Sequence, residues 1–176
     1  MIPGSIDDIY SINAGVRQRF KDALKGISSD KYDSVPENGG WSIARIVEHV
    51  AIVSEGASRF CSHLVAKAKT DGKPAGDLPV TAEFLKNLLG AKGTKFEAPE
   101  VALPSGTMNV EDSLARLDAS TLALTTLAAD MAAYDITAHK FPHPYFGPLN
   151  AAEWLYLLGG HESRHTDQIE AVAASL

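Results

Sequence analysis

Apolar side chains return every three or four residues along four stretches of this sequence, the spacing that lines one face of an α-helix. In the first, Ile9, Ile12, Val16, Phe20 and Leu24 form the stripe. Ser5 is its candidate N-cap, Asp7 and Asp8 suit the positive end of the helix dipole, and Gly26 supplies a stop. The second stripe, behind Ser42, runs through Ile46, His49, Val53 and Phe60 and is predicted to end near Lys69, before "TDGKP". A third follows Asn109 through Leu114, Leu117, Leu124, Leu127 and Met131. The fourth, capped by Asn150, reads Trp154, Leu158, His161, His165, Ile169 and Val172. Before it, "YDITAHKFPHPYFGPLN" holds two Pro-containing turns that bar a continuous helix, and no convincing strand is expected.

Residues 71 to about 109 break the rhythm. They are rich in Pro and Gly and carry one short helical piece near "TAEFLKNLL". So long a connection inside one domain points to a crossover along a bundle, part of it forming a lid or rim. The expectation is therefore an all-α chain, a single domain over residues 1–176, folded as a four-helix bundle with a long crossover between helices 2 and 3. Helix 2 carries Ile43, Ile46, Val47, Val50, Ile52 and Val53, more apolar surface than one narrow stripe requires, which suggests a homodimer.

Composition narrows the function classes. The formal net charge is −6 and the basic residues are scattered, so nucleic acid is an unpromising partner. No stretch approaches the roughly 20 apolar residues that span a bilayer. The start "MIPGSIDDIY" lacks a basic leader and an apolar signal core. The one cysteine, Cys61, forms no internal disulfide and falls in an apolar helical stretch, as a buried small hydrophobe would. A soluble, cytoplasmic protein acting on a small molecule is the expectation.

The candidate chemistry sits in "GGHESRHTDQIE". His161-Glu162-Ser163-Arg164-His165 matches H-E-x-x-H, the zinc-protease signature. Histidines four apart share a helix face, with about 6 Å between their Cβ atoms. Here that face is the apolar one, so both rings point inward and need polar partners, which a divalent metal could supply. His49 lies on the inward face of helix 2; were helices 2 and 4 parallel and diagonal, it would reach the depth of the pair. Three imidazoles plus an open position form a site able to do chemistry. The protease reading lacks a third ligand, since no histidine follows His165 and Glu170, five residues on, points elsewhere. A di-iron reading of Glu162-x-x-His165 lacks its second copy, because Arg45 stands where the matching glutamate belongs.

Other residues invite weaker readings. His139 and His143 flank Pro142 in the loop before helix 4, at the mouth or simply solvated. Glu162 reads as a base, an orienting group or an exposed helix charge. Arg164 reads as an anion-attracting group or an ion-pair partner. Tyr145 and Phe146 are expected to cap the core, and His63 to lie at the surface.

"WSIARIVEHV", "FEAPEVALPSG" and "HPYFGPLNAAEWLYLLGGHESRHTDQI" together resemble the DinB-like superfamily, over about residues 5 to 174. The C-terminal stretch, with Arg164 and Gln168 in place, is its most specific part. The resemblance implies a four-helix bundle, often dimeric, with a divalent metal, commonly nickel or zinc, at His49, His161 and His165. Members of that family include S-transferases using a low-molecular-weight thiol and a mycothiol-dependent maleylpyruvate isomerase. The implied function is a metal site that activates a thiol or water against a small electrophile, of S-transferase or hydrolase type. The alternative is a non-catalytic stress-response bundle that binds metal or a small ligand.

Overall fold

Ser5, Ser42, Asn109 and Asn150 each accept a hydrogen bond from a backbone N–H three residues on, at Asp8, Arg45, Asp112 and Glu153. Those caps start the four long helices where the sequence pattern places them. The computed structural model describes residues 3–37, 39–76, 79–91, 94 and 96–176. Helix α1 (Ile6–Lys25) ends at Gly26, and α2 (Ile43–Asp71) ends at Gly72, whose φ of 66° forms a left-handed cap. The crossover then carries α3 (Ala82–Gly90) and a 3₁₀ turn at Glu100–Ala102 before α4 (Val110–Thr125).

The third predicted helix is not continuous. It breaks after Thr125, and α5 (Ala128–Ala133) carries Met131 onward. The Leu127 N–H turns back to Leu124 in a tight i→i−3 bond and starts a new turn. The loop before the last helix also departs from expectation, forming a small antiparallel hairpin, β1 (Phe141–His143) with β2 (Gly147–Leu149). Pro142 faces Pro148 across it, and Gly147 at φ 72° makes the turn. Helix α6 (Ala151–Ser175) follows, begun by a reciprocal capping box between Asn150 and Glu153.

Side-chain contacts give the helix directions. Tyr10 and Arg17 of α1 bond to the Leu124 and Leu117 carbonyls of α4, so those helices are antiparallel. Asn13 and Arg17 meet Leu155 and Glu162, so α1 and α6 run parallel. Cys61 meets Ala151 while His49 meets His161, so α2 and α6 are antiparallel and packed directly together. The bundle is thus up-down-down-up, and α2 and α6 are neither parallel nor diagonal, as the depth argument from sequence had supposed. Because α2 and α4 point the same way, the crossover must return along the whole bundle, and it comes back beside His49. Topology delivers the strap to the site.

Among the described residues two apolar clusters fill the interior. One gathers Ile9, Leu64, Met131 and Leu155, the other Phe20, Ile43, Ile46, Leu117 and Ile169. Each of these fully buried side chains contributes about 1.5–3 kcal/mol. Of the apolar residues of α2, Ile43, Ile46, Val47 and Val50 are buried within the chain, while Ile52 and Val53 stay partly exposed. On α6, Glu162 and His165 fall between Leu158 of one cluster and Ile169 of the other. Among the described residues no helix is long and apolar enough to cross a membrane.

Candidate metal centre

The three histidines meet. Their rings lie 5.1 Å apart for His49 and His161, 4.8 Å for His49 and His165, and 4.5 Å for His161 and His165, centroid to centroid. One nitrogen from each falls within 4.8 Å of the others, with His49 Nε2 only 3.1 Å from His161 Nε2. Tetrahedral coordination with metal–nitrogen bonds near 2.1 Å sets ligand nitrogens about 3.4 Å apart, so a small inward shift suffices for the trio to hold an ion.

The tautomers suit that task. His49 Nδ1 lies 2.7 Å from the Ala102 carbonyl, which can only accept, so the proton is on Nδ1 and the lone pair is on Nε2, facing His161. His165 Nδ1 is 2.9 Å from Gln168 Oε1, while its Nε2 accepts from the Arg164 guanidinium at 2.8 Å. Its lone pair too is on Nε2. An outer partner holding Nδ1 so that Nε2 faces inward is the arrangement metal-binding histidines use. Burial, foremost, pushes His165 down to about 3 and His161 well below the ordinary imidazole range; His49 is lowered by burial as well. All three are neutral at physiological pH, the form that coordinates.

The walls come from the crossover and from Trp41, whose ring stands 4.9 Å from that of His49. Glu48, 1% exposed, accepts from the Ser105 N–H at 3.0 Å, the Ser105 hydroxyl at 2.6 Å and the Gly106 N–H at 2.8 Å. Gly106 adopts φ 76°, a left-handed backbone that glycine takes without a Cβ penalty. Glu48 therefore ties the strap to α2 one residue from His49, and the same strap presents Ala102. Nothing in the histidine motif points to this glutamate. Its signal was the "PSG" turn, a ready-made cradle for an anion.

Glu162 proves to be neither a base nor a surface charge. It is buried and paired in bidentate fashion with Arg17 of α1, at 2.6 and 2.8 Å. Helix geometry accounts for this, since a residue next to His161 is turned about 100° away from it. Glu170 pairs with Arg19 on the surface, as expected of a residue outside the site.

His143 is not a solvated loop histidine. It is half-buried on β1 against Trp154 and Phe146, with ring centroids 5.0 and 5.1 Å away. Its Nδ1 accepts the Tyr145 and Phe146 N–H groups at 3.1 and 3.3 Å, and burial lowers it to about 4. His139 lies elsewhere, paired with Asp71. Phe146 packs on the core, whereas Tyr145 stays 45% exposed against Phe96 of the crossover. His63 is at the surface, and Cys61 is buried with its thiol pushed up to about 12.

This fold agrees with comparison to known proteins. The chain belongs to the DinB superfamily, whose family model matches residues 14–169. It is similar to the uncharacterized protein YuaE of Bacillus subtilis (strain 168), with 25% identity over 150 residues, 85% of this chain and 87% of that protein. It is also similar in fold to TT2238, a four-helix bundle protein known from its crystal structure. That match has a TM-score of 0.64 at 21% identity and covers 95% of this chain and 99% of TT2238.

Proposed function

We propose that the chain is a metal-dependent enzyme in which a divalent ion, zinc or nickel, bound by His49, His161 and His165 activates a thiol or water toward a small electrophilic substrate. The observation that supports it most is the convergence of three neutral imidazoles, two with the Nε2 lone pair already set by a partner on Nδ1. Three nitrogens without a carboxylate suit ions of the zinc and nickel type and leave a fourth position open. A bound divalent ion supplies Lewis acidity that lowers the pKa of a thiol or water at that position.

The chain's own residues prepare the site. The Ala102 carbonyl and Gln168 hold two rings in register, and Trp41 covers His49 from one side. The crossover, fastened by Glu48, closes over α2 and keeps bulk water from that flank. A low-molecular-weight thiol as the activated group makes the protein an S-transferase; water makes it a hydrolase.

The test is elemental analysis of protein purified without a histidine tag, wild type beside His161→Ala and His49→Ala. Stoichiometric metal in the wild type and its loss from both variants is expected. Full occupancy in either variant overturns the ligand set. Turnover of electrophiles with thiols or water then separates an enzyme from a bundle that only binds its ion.

A further inference from the structure

The ligand nitrogen of His165 already has a cation on it. Arg164 Nη2 donates to His165 Nε2 at 2.8 Å, using the lone pair that a metal would need. A metal entering the site must take that lone pair from the guanidinium, and Arg164 must then find another acceptor. Arg164 is exposed and makes no ion pair with the described residues, so its freed guanidinium turns to solvent or to an anion that enters with the metal. The groups whose charge bears on the three rings are the rings themselves, Arg164 and His143. The two buried carboxylates nearest in sequence to the ligands are committed: Glu48 to Ser105 and Gly106, Glu162 to Arg17.

Charge balance gives the consequence. Three neutral imidazoles leave a divalent ion with its full charge, and Arg164 adds another positive charge beside it. The ion would sit beside the buried His49 and His165 rings, where positive charge is unfavourable without a counter-ion. A planar guanidinium freed next to the metal matches a carboxylate in two parallel hydrogen bonds.

We propose that Arg164 is an exchangeable cation of this site: it holds the His165 lone pair in the metal-free protein, then turns to bind the carboxylate of the small molecule that completes the metal's coordination. This rests on the metal-binding reading above and adds the chemical class of the ligand. It also makes Arg164 a ligand-binding residue whose two duties oppose each other. Against the metal it is a competitor and a repelling charge; toward the anion it is a partner.

The opposed signs make the test. Cobalt(II) is titrated into metal-stripped wild type and Arg164→Gln and followed by its visible absorption. Acetate and, separately, neutral imidazole are then titrated onto the cobalt-loaded proteins at constant ionic strength. Arg164→Gln is expected to bind cobalt several-fold more tightly and acetate about tenfold more weakly, the loss of one charge-assisted hydrogen-bonded pair. Imidazole affinity should stay within about twofold, because it carries no charge for Arg164 to meet. Unchanged acetate affinity overturns the proposal. So does a parallel weakening of cobalt, acetate and imidazole, which would mean that Arg164 merely supports the fold. A wild type that binds no cobalt overturns the metal reading itself, and this inference with it.

Discussion

Glu48→Gln probes how the crossover governs the site without touching the histidine cluster. In the native chain Oε1 accepts two donors from Ser105 and Oε2 accepts one from Gly106. A glutamine offers one acceptor oxygen. Its best orientation keeps the two Ser105 bonds and turns an NH₂ group against the Gly106 N–H, donor facing donor. The substitution thus removes one charge-assisted bond and weakens two others to neutral ones. Bonds to charged groups contribute about 1.5–3 kcal/mol each and neutral ones about 1 kcal/mol. Ser105 and Gly106 are themselves exposed, so water can satisfy part of what is lost. The expected destabilisation is about 1.5–3 kcal/mol, read as a lower urea midpoint at unchanged slope on metal-free protein. The strap that slackens also carries Ala102, which fixes His49, so metal affinity should fall about 10- to 100-fold as for other outer partners of metal-binding histidines. A variant within about 0.5 kcal/mol of wild type would refute the anchoring argument. Normal metal affinity in a destabilised variant would refute the link between strap and ring. Gly106→Ala is the companion, since it keeps every donor but requires an L-residue at φ 76°, costing about 1–2 kcal/mol.

Other perturbations follow from the same contacts. Arg17→Met leaves the Glu162 carboxylate buried without its bidentate partner and should cost about 3–5 kcal/mol in urea unfolding; adding Glu162→Met should recover much of it. A Cβ on Gly159 would sit 2.2 Å from Asn13 Oδ1, whose amide is tied to the Leu155 carbonyl. Gly159→Ala should therefore cost about 1–3 kcal/mol, and Asn13→Ala in the same chain should relieve most of it, measured as a double-mutant cycle. His143 titrates near 4 in the folded chain and near 6.5 when unfolded, so its contribution is whole above about pH 6.5 and is lost as pH falls toward 4. Discounted for its partial exposure, that loss is about 1–2 kcal/mol and should vanish in His143→Asn, compared by urea midpoints at pH 7 and pH 4.5. Cys61, buried with its thiol pushed up to about 12, should resist Ellman's reagent until urea unfolds the chain; rapid native labelling would contradict the packing.

Much of this architecture is readable from the sequence because it depends on local rules. Caps at Ser5, Ser42, Asn109 and Asn150 and apolar spacing near 3.6 residues specify four long helices, and the length of the connection specifies a crossover. What escapes local rules is relative direction. Periodicity places His49 on an inward face but not against which neighbour, and the assumed parallel, diagonal pair is in fact antiparallel and adjacent. The break near Leu127 and the Phe141–Leu149 hairpin were missed for a related reason: both are short, and tertiary packing rather than propensity decides them. Glu48 and Arg17 were missed because a charged residue in a helix reads as solvated until its distant partner is known.

The H-E-x-x-H string shows how far a motif can be separated from its usual chemistry. In a helix the two histidines share a face whatever lies between them, so that spacing alone offers two ligands. The glutamate is another matter, because its use as a base depends on the space beside the metal being open on its side. Here that side is occupied by α1, and Arg17 takes both carboxylate oxygens. The third histidine of the cluster comes from α2 rather than from a downstream segment, and Ala102 of the crossover sets its tautomer. The same five letters thus serve a bundle interior, with Glu162 fastening α6 to α1 while its neighbours face α2. Function follows from which neighbouring helix each face meets, and in this chain the crossover topology decides that.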